Sequence, residues 1–366
     1  MKKILFSAYS LDIGGIEKAL ITLANYLQEK GYDITIVLEK KQGVFLQELN
    51  SKIRLVEYTP DDSQNILKRK LNNLAKRVKF YLRYKNKFDF SASFATYSMM
   101  GSVVSRIASK NNCLWCHADY LTLFNDNKAE VIKFFKDRKY NKFKNIVFVS
   151  EEGKKSFLKI FPQMDKRTVV CNNLIDYKQI EKLATEKIEI SKQENVVTFL
   201  NVGRHDERQK RLTRIIESAK KLKDQNYKFR ILLVGDGPDR ELYERLVKEN
   251  HLEKQIIFMG KQQNPYPYFK IADCVLLTSD YEGYPVTFLE SFVLNVPIIT
   301  TKVSDYQQVE GKYGYVAEKS TEDVYNKMKL FIEKGFEIKE KFEPEKYNSQ
   351  IVNKLEKIIE GKNVNA

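Results

Sequence analysis

The stretch EGYPVTFLE, residues 282–290, decides how this chain is read. Before it, ADCVLLTSD (272–280) is an apolar run of strand length, and PVTFLESFVL (285–294) spaces its apolar residues as a helix does. Glu282 and Gly283 therefore fall in a strand-to-helix loop. Pro285 suits the first helical position, where a missing N–H costs nothing, and Gly283 permits a tight turn or the close approach of a ligand. The unpaired N–H groups that open such a helix favour a diphosphate. Glu290 lies more than a turn into the helix, where its carboxylate can accept hydrogen bonds from a neutral diol such as ribose. Glu282 is expected to face hydroxyls as well, because carboxylate and phosphate repel. Two glutamates eight apart also arise by chance on solvated surfaces, so the pair needs its surroundings to carry meaning.

The whole string, with Tyr281, Gly283, Pro285 and Leu289 in place, resembles the donor motif of the family 4 glycosyltransferases, retaining enzymes with the GT-B fold. The resemblance extends along nearly the whole chain. KILFSAYSLDIGGIEKALITLANYL is similar to the family's first strand, glycine loop and first helix, with Gly14 and Gly15 at the turn. CLWCHADY places His117 where the family has a histidine after a strand; FVSEEGKKSF and CNNLIDYKQI resemble the segments that close the first domain. FLNVGRHDERQKRL supplies Gly203 and the basic pair Arg204 and Lys210, matching the family's diphosphate clamp. Arg211 stands where the family usually has glycine, which implies a differently shaped loop and a possible extra phosphate contact.

The resemblance implies an α/β GT-B architecture, two doubly wound Rossmann-like domains facing a cleft, with a C-terminal helix crossing back to the first. The expected divisions are an acceptor-side domain at 1–173, a linker at 174–195, a donor domain at 196–344, and a crossing helix and tail at 345–366. The implied reaction moves a sugar with retention from a nucleotide diphosphate, UDP by default, to a hydroxyl of a glycan or lipid-linked oligosaccharide in bacterial surface polysaccharide synthesis. His117, Arg204, Lys210 and Glu282 are the expected catalytic residues. Gly15, Gly203, Arg204, Lys210, Glu282, Gly283, Tyr284, Pro285, Val286 and Glu290 are expected to bind the donor. No DxD-type metal site stands out, so no metal or other cofactor is expected. The sugar-nucleotide 2-epimerases share the fold and would need no acceptor, but they lack this glycine loop and donor string.

Composition agrees with a two-domain globular protein: 366 residues, 43% hydrophobic and 30% charged. No stretch approaches the roughly 18 apolar residues of a membrane span. The start, MKKILFSAYSLDIGG, is basic and briefly apolar but breaks at Asp12, and reads as a buried strand rather than a leader. The net charge of +15 is concentrated, since residues 51–150 hold 20 Lys and Arg against 8 Asp and Glu. Within them, LKRKLNNLAKRVKFYLRYKNKF (67–88) interleaves basic residues with Leu71, Leu74, Val78, Tyr81 and Leu82, the pattern of a basic amphipathic helix; KFFKDRKYNKFKN (133–145) repeats the chemistry. Two readings stand: an anionic membrane surface as partner, placing the protein on the inner face of the cell membrane, or a solvated helix with its apolar side in the core. Interleaved basic and aromatic residues also suit nucleic acid, but no recognised nucleic-acid module accompanies them, and none is expected as a partner.

The four cysteines do not form a disulfide framework, and a reducing cytoplasm is expected. CLWCH (113–117) matches the c-type haem attachment pattern, and Cys113 with Cys116 has metal-ligand spacing, yet no second ligand pair is visible. A buried strand with His117 emerging at its C-terminal end accounts for the same residues. GDG (235–237) resembles part of a dinucleotide fingerprint, but Arg240 replaces its third glycine.

Overall fold

In the computed structural model, which describes residues 1–12 and 14–362, the chain forms two compact α/β units. The first comprises Met1–Leu174 and Glu345–Ala366, the second Ile175–Pro344. Ile13 of the glycine loop and the last four residues of the expected tail lie outside the described residues.

The first unit is built on seven strands: β1 (Lys3–Ala8), β2 (Asp33–Leu38), β3 (Arg54–Glu57), β4 (Phe90–Ser93), β5 (Asn112–Cys116), β6 (Asn145–Phe148) and β7 (Thr168–Val170). Their order is β3-β2-β1-β4-β5-β6-β7, every pair parallel. The second unit has six: β8 (Val197–Val202), β9 (Phe229–Val234), β10 (Ile256–Gly260), β11 (Cys274–Leu277), β12 (Ile298–Thr301) and β13 (Gly314–Ala317). They run β10-β9-β8-β11-β12-β13, again all parallel. Parallel strands need crossovers and are covered on both faces, which is why segments such as ILFSA and FRILLV are buried throughout instead of alternating. In the second unit Phe199, Ile231, Leu233 and Leu276 meet Leu212, Ile216, Met328 and Phe331 of flanking helices. In each sheet the strand order reverses once, at β1/β4 and at β8/β11, and the carboxyl ends of the strands at such a switch form a ligand crevice.

The helix Pro344–Glu360 buries Ile351, Leu355, Ile358 and Ile359. It is held to the first unit by Asn111 Nδ2, which donates to the Ile359 carbonyl at 2.7 Å, and by the Tyr347 hydroxyl on the Asn173 carbonyl at 2.9 Å. The stretch expected as a linker carries a helix of its own, Tyr177–Leu183, capped by Asp176 on the Gln179 N–H, and from Ile175 it belongs to the second unit.

The two basic segments part company. In 133–145 the aromatic residues are core: Phe135, Tyr140 and Phe143 are buried with Phe148, Phe157 and Phe161. The other forms the helix Ile66–Tyr84, in which only Phe80 and Tyr84 are buried. Leu71, Leu74, Val78, Tyr81 and Leu82 are exposed, so the reading that put this apolar side in the core is overturned.

Candidate functional site

The loops after β8 and β11 meet at the switch point of the second sheet, where the two strands pair side by side. Lys210 from the first loop donates from Nζ to Glu282 Oε1 of the second at 2.6 Å, the two side chains being 16% and 10% exposed. Ser279 Oγ donates to the same oxygen at 2.7 Å, and Gln209 Nε2 reaches Oε2 at 3.3 Å. The Glu282 carbonyl accepts from Ser304 Oγ at 2.8 Å. Glu282, expected to face ligand hydroxyls, is thus held by a lysine and two neutral donors. Backbone contacts stitch the loops together: Asp280 N–H donates to the Gln209 carbonyl at 2.8 Å, and Thr278 Oγ1 to the Lys210 carbonyl at 3.1 Å.

Lys210 and Arg204 do not form a converged pair. Arg204 points outward, 62% exposed, and bonds to Asp206. Arg211 has φ 53° and ψ 48°, the left-handed conformation that costs an L-residue roughly 1–2 kcal/mol and costs glycine nothing, which gives the family's usual glycine there a physical reason. Its guanidinium is engaged by Asp280 and Glu207 rather than presented to a phosphate. Burial works against the Asp280 charge, but Arg211 and Arg214 outweigh it and hold the carboxyl below its ordinary range.

The GDG glycines serve close packing. A Cβ on Gly235 (φ +142°) would lie 1.9 Å from the Gly203 carbonyl oxygen, and one on Gly237 2.3 Å from that of His205. The β9 loop can therefore sit directly on the β8 loop and fix it. A Cβ on Gly203 would touch Lys210 Cε at 3.5 Å, so the absent side chain leaves the lysine stem its course.

The helix after the motif is Val286–Val293, one residue later than expected, with Pro285 as the cap (φ −67°, ψ 111°) and no side chain capping it. Its opening N–H groups follow directly on Gly283 and the buried Tyr284, whose hydroxyl donates to Gln308 Oε1 at 3.1 Å. Glu290, on the fifth residue of the helix, accepts from the Tyr266 hydroxyl at 3.2 Å.

In the first unit, Gly14 is an extended cap and Gly15 opens the helix Gly15–Glu29, with nothing within 4 Å of where a Gly15 Cβ would stand. His117 follows β5 and packs its ring 4.6 Å from Phe94, which follows β4 at the switch. Burial pushes His117 down to about 3, while its hydrogen bond to the Phe94 carbonyl works the other way. Nε2 is buried without a partner, so that bond places the proton on Nδ1. The imidazole is neutral at physiological pH and presents a lone pair at Nε2. Cys113 and Cys116 are interior residues of β5, and burial raises both thiols; Cys171 is pushed up to about 12. Among the described residues no three His, Cys, Asp or Glu side chains stand where they could share a metal ion.

Residues 183–349 match the sequence family described as Glycosyl transferases group 1. The second unit is a group 1 glycosyltransferase domain. An uncharacterized glycosyltransferase of Methanocaldococcus jannaschii is 25% identical over 193 residues, which cover 51% of this chain and 47% of that protein, so the chain spans about half of that relative's length. The Campylobacter jejuni N-acetylgalactosamine-N,N'-diacetylbacillosaminyl-diphospho-undecaprenol 4-alpha-N-acetylgalactosaminyltransferase is 25% identical over 311 residues, 82% of this chain and 81% of its own. Among solved structures, Anabaena HepE in complex with UDP and glucose superposes with a TM-score of 0.74 over 97% of this chain and 100% of that one, at 18% identity. The fold is GT-B.

Several residues of this glycosyltransferase domain's site escaped the sequence reading. Gln209, Ser279 and Ser304 all bond to Glu282, and Tyr266 bonds to Glu290. Ser279 and Asp280 stand directly before the motif in LLTSDYEG, and that adjacency was the available signal. Ser304 and Tyr266 carry none, because their approach depends on how β12 and the loop after β10 close.

Proposed function

We propose that the chain transfers a sugar, with retention of anomeric configuration, from a nucleotide diphosphate donor, a UDP-sugar by default, to a hydroxyl of a lipid-linked glycan acceptor in bacterial surface polysaccharide assembly. The observation that carries this reading is the Lys210–Glu282 pair at the β8/β11 switch point, four residues before a helix that opens on uncapped N–H groups. It sets a cation for a leaving diphosphate next to a carboxylate for sugar hydroxyls. The diphospho-undecaprenol substrate in the Campylobacter relative's name supports a lipid-linked acceptor, and the UDP and glucose held by the Anabaena protein support the donor.

The difficult step is departure of the diphosphate. As the glycosidic bond lengthens, charge grows on the leaving oxygen, and Lys210 and the N-terminus of the helix Val286–Val293 stabilise it, joined by Arg204 once its guanidinium turns from Asp206 to the phosphates. Lys210 exchanges Glu282 for a phosphate oxygen when the donor binds. That exchange frees Glu282 Oε1 to accept from a donor-sugar hydroxyl, with Ser279 and Gln209 still orienting the carboxylate. Glu290 accepts from the ribose hydroxyls. The departing phosphate assists deprotonation of an acceptor attacking from the same face, and the Nε2 lone pair of His117 suits a sugar hydroxyl. In this scheme the protein's own cations meet the leaving charge and no metal is needed. The basic first unit gives the reaction an anionic membrane surface as partner at the cell's inner face, and nucleic acid is not a partner.

Thermal unfolding without added metal, against UDP, GDP, ADP and TDP sugars and the free nucleotides, tests the donor site. A ligand at about 100 times its Kd stabilises by roughly 2.7 kcal/mol, a readable shift in Tm. Selective stabilisation by one nucleotide is the expected result and chooses the substrates for a transfer assay. No shift with any nucleotide, together with a shift on adding EDTA or nucleic acid, would end the reading.

A further inference from the structure

Of the eleven strongly exposed large apolar side chains among the described residues, seven sit on the helix Ile66–Tyr84. Leu67 and Leu82 are 74% exposed, Leu71 66% and Leu74 57%, values foreign to a helix whose apolar stripe faces its own core. The helix is nevertheless firmly docked, because Phe80 and Tyr84 pack with Leu5, Val37, Met100 and Val104. At 100° per residue, Leu67, Leu71, Leu74, Val78 and Leu82 fall within a sector about 80° wide, roughly 140° round from Phe80 and Tyr84. Lys70 and Arg77 flank that sector on one side, Lys68 and Lys79 on the other, and the helix contains no Asp or Glu. One face holds the helix to the protein, and a second, leucine-rich and edged with cations, is left in solvent.

We infer that this second face inserts into an anionic lipid surface, with the helix lying in the plane of the interface. The leucines enter the headgroup and acyl boundary while the lysines and arginines on both flanks reach back to lipid phosphates. The partner follows from the two chemistries together. A second copy of the chain would cover the leucines but bring like-charged flanks together, and a nucleic acid would satisfy the cations but leave the leucines in water. The surplus of 20 Lys and Arg against 8 Asp and Glu in residues 51–150 adds long-range attraction to the same surface. The inference rests on the proposed function only for why a membrane is at hand, and it locates the contact on one helix.

The test is co-sedimentation of the full chain with phosphatidylcholine vesicles with and without phosphatidylglycerol, at 0.1 and 0.5 M salt, with no donor or acceptor. Expected are binding to the phosphatidylglycerol vesicles, a residual part that survives high salt, and at least a tenfold weaker partition for Leu67→Ser/Leu71→Ser/Leu74→Ser. Those side chains are exposed, so the variant should keep its Tm and its response to nucleotides, which separates failure here from failure of the donor-site reading. Leu74→Trp provides a second readout: the sole native tryptophan, Trp115, is buried, and the new indole should shift to shorter wavelength on anionic vesicles. Absence of sedimentation with phosphatidylglycerol vesicles would overturn the inference. Undiminished binding of the serine variant would also do so by leaving only headgroup charge, as would a concentration-dependent dimer that the serine variant abolishes.

Discussion

Replacing Lys210 by Met keeps an unbranched stem beside Gly203 and removes only the charge that faces Glu282. The carboxylate is then left, on a side chain 10% exposed, with Ser279 and Gln209 as its remaining donors. Removing one partner of a buried pair costs about 3–5 kcal/mol when nothing else compensates. Two hydrogen bonds to the charge and partial solvent access reduce that to about 2–3 kcal/mol. The second unit spans residues 175–344, 170 residues, and at that size each kcal/mol is worth roughly 2–4 °C, so its transition should fall by roughly 4–12 °C. Lys210→Met/Glu282→Gln removes both charges and should recover to within about 1 kcal/mol of wild type. Scanning calorimetry of wild type, both single variants and the double reads the coupling directly. Glu282→Gln adds a signature of opposite sign: Lys210 no longer has to leave a carboxylate to meet phosphate, so free UDP should bind more tightly than to wild type. Single effects that simply add in the double, or unchanged UDP affinity in Glu282→Gln, would refute the exchange of Lys210 from carboxylate to phosphate.

Glu290→Ala should raise the Kd for the nucleotide by about tenfold with little change in kcat, whereas Lys210→Ala should lower kcat more than affinity, because its charge acts most in the transition state; equal losses of affinity alone would undo that division. His117 is held neutral, down to about 3, so its contribution to stability is complete above about pH 6.5 and is lost as pH falls from there towards 3, where the unfolded chain takes up a proton that the folded one refuses. Between pH 6.5 and 5 that amounts to at most about 2 kcal/mol, and His117→Gln should flatten the decline of Tm with acid, a difference absent if the ring were freely titrating. Gly235→Ala, with its Cβ 1.9 Å from the Gly203 carbonyl, should destabilise by more than about 3 kcal/mol and weaken nucleotide binding, while Gly260→Ala (φ +67°, nothing within 4 Å) should cost only about 1–2 kcal/mol. Arg211→Gly relieves a left-handed residue but gives up two half-exposed ion pairs, so its Tm should stay within about 4 °C of wild type and above that of Arg211→Ala.

The order of strands and helices was legible because parallel strands buried on both faces read as unbroken apolar runs, and nearly all of them are followed by a helical period. Lys210 and Glu282 were both visible as residues of interest, but their pairing was not. They lie 72 positions apart, and only the adjacency of β8 and β11 brings them together. The periodicity of residues 67–82 revealed an apolar stripe without saying where it faces; Phe80 and Tyr84, on the other side of the same helix, turned out to be the residues that reach the core. In the segment after Leu174 the density of charge masks the Asp176 cap that opens a helix there. Pro285 caps the helix one position before the site its spacing predicts, since proline tolerates both the cap and the first helical turn.

The helix Pro344–Glu360 makes the first unit discontinuous in sequence, and that has a consequence for the order in which the protein can be made. Its contacts join Lys2 to Glu360 and Asn111 to Ile359, partners 358 and 248 residues apart. During synthesis the unit that emerges first is therefore the one completed last. Until Ile351 and Leu355 arrive, Ala19, Leu23 and Phe94, which line one small hollow with them, lack part of their cover while the entire second unit is being translated. Loss of the last twenty or so residues would leave the donor domain with its own strands and core, and strike instead at the unit that begins the chain.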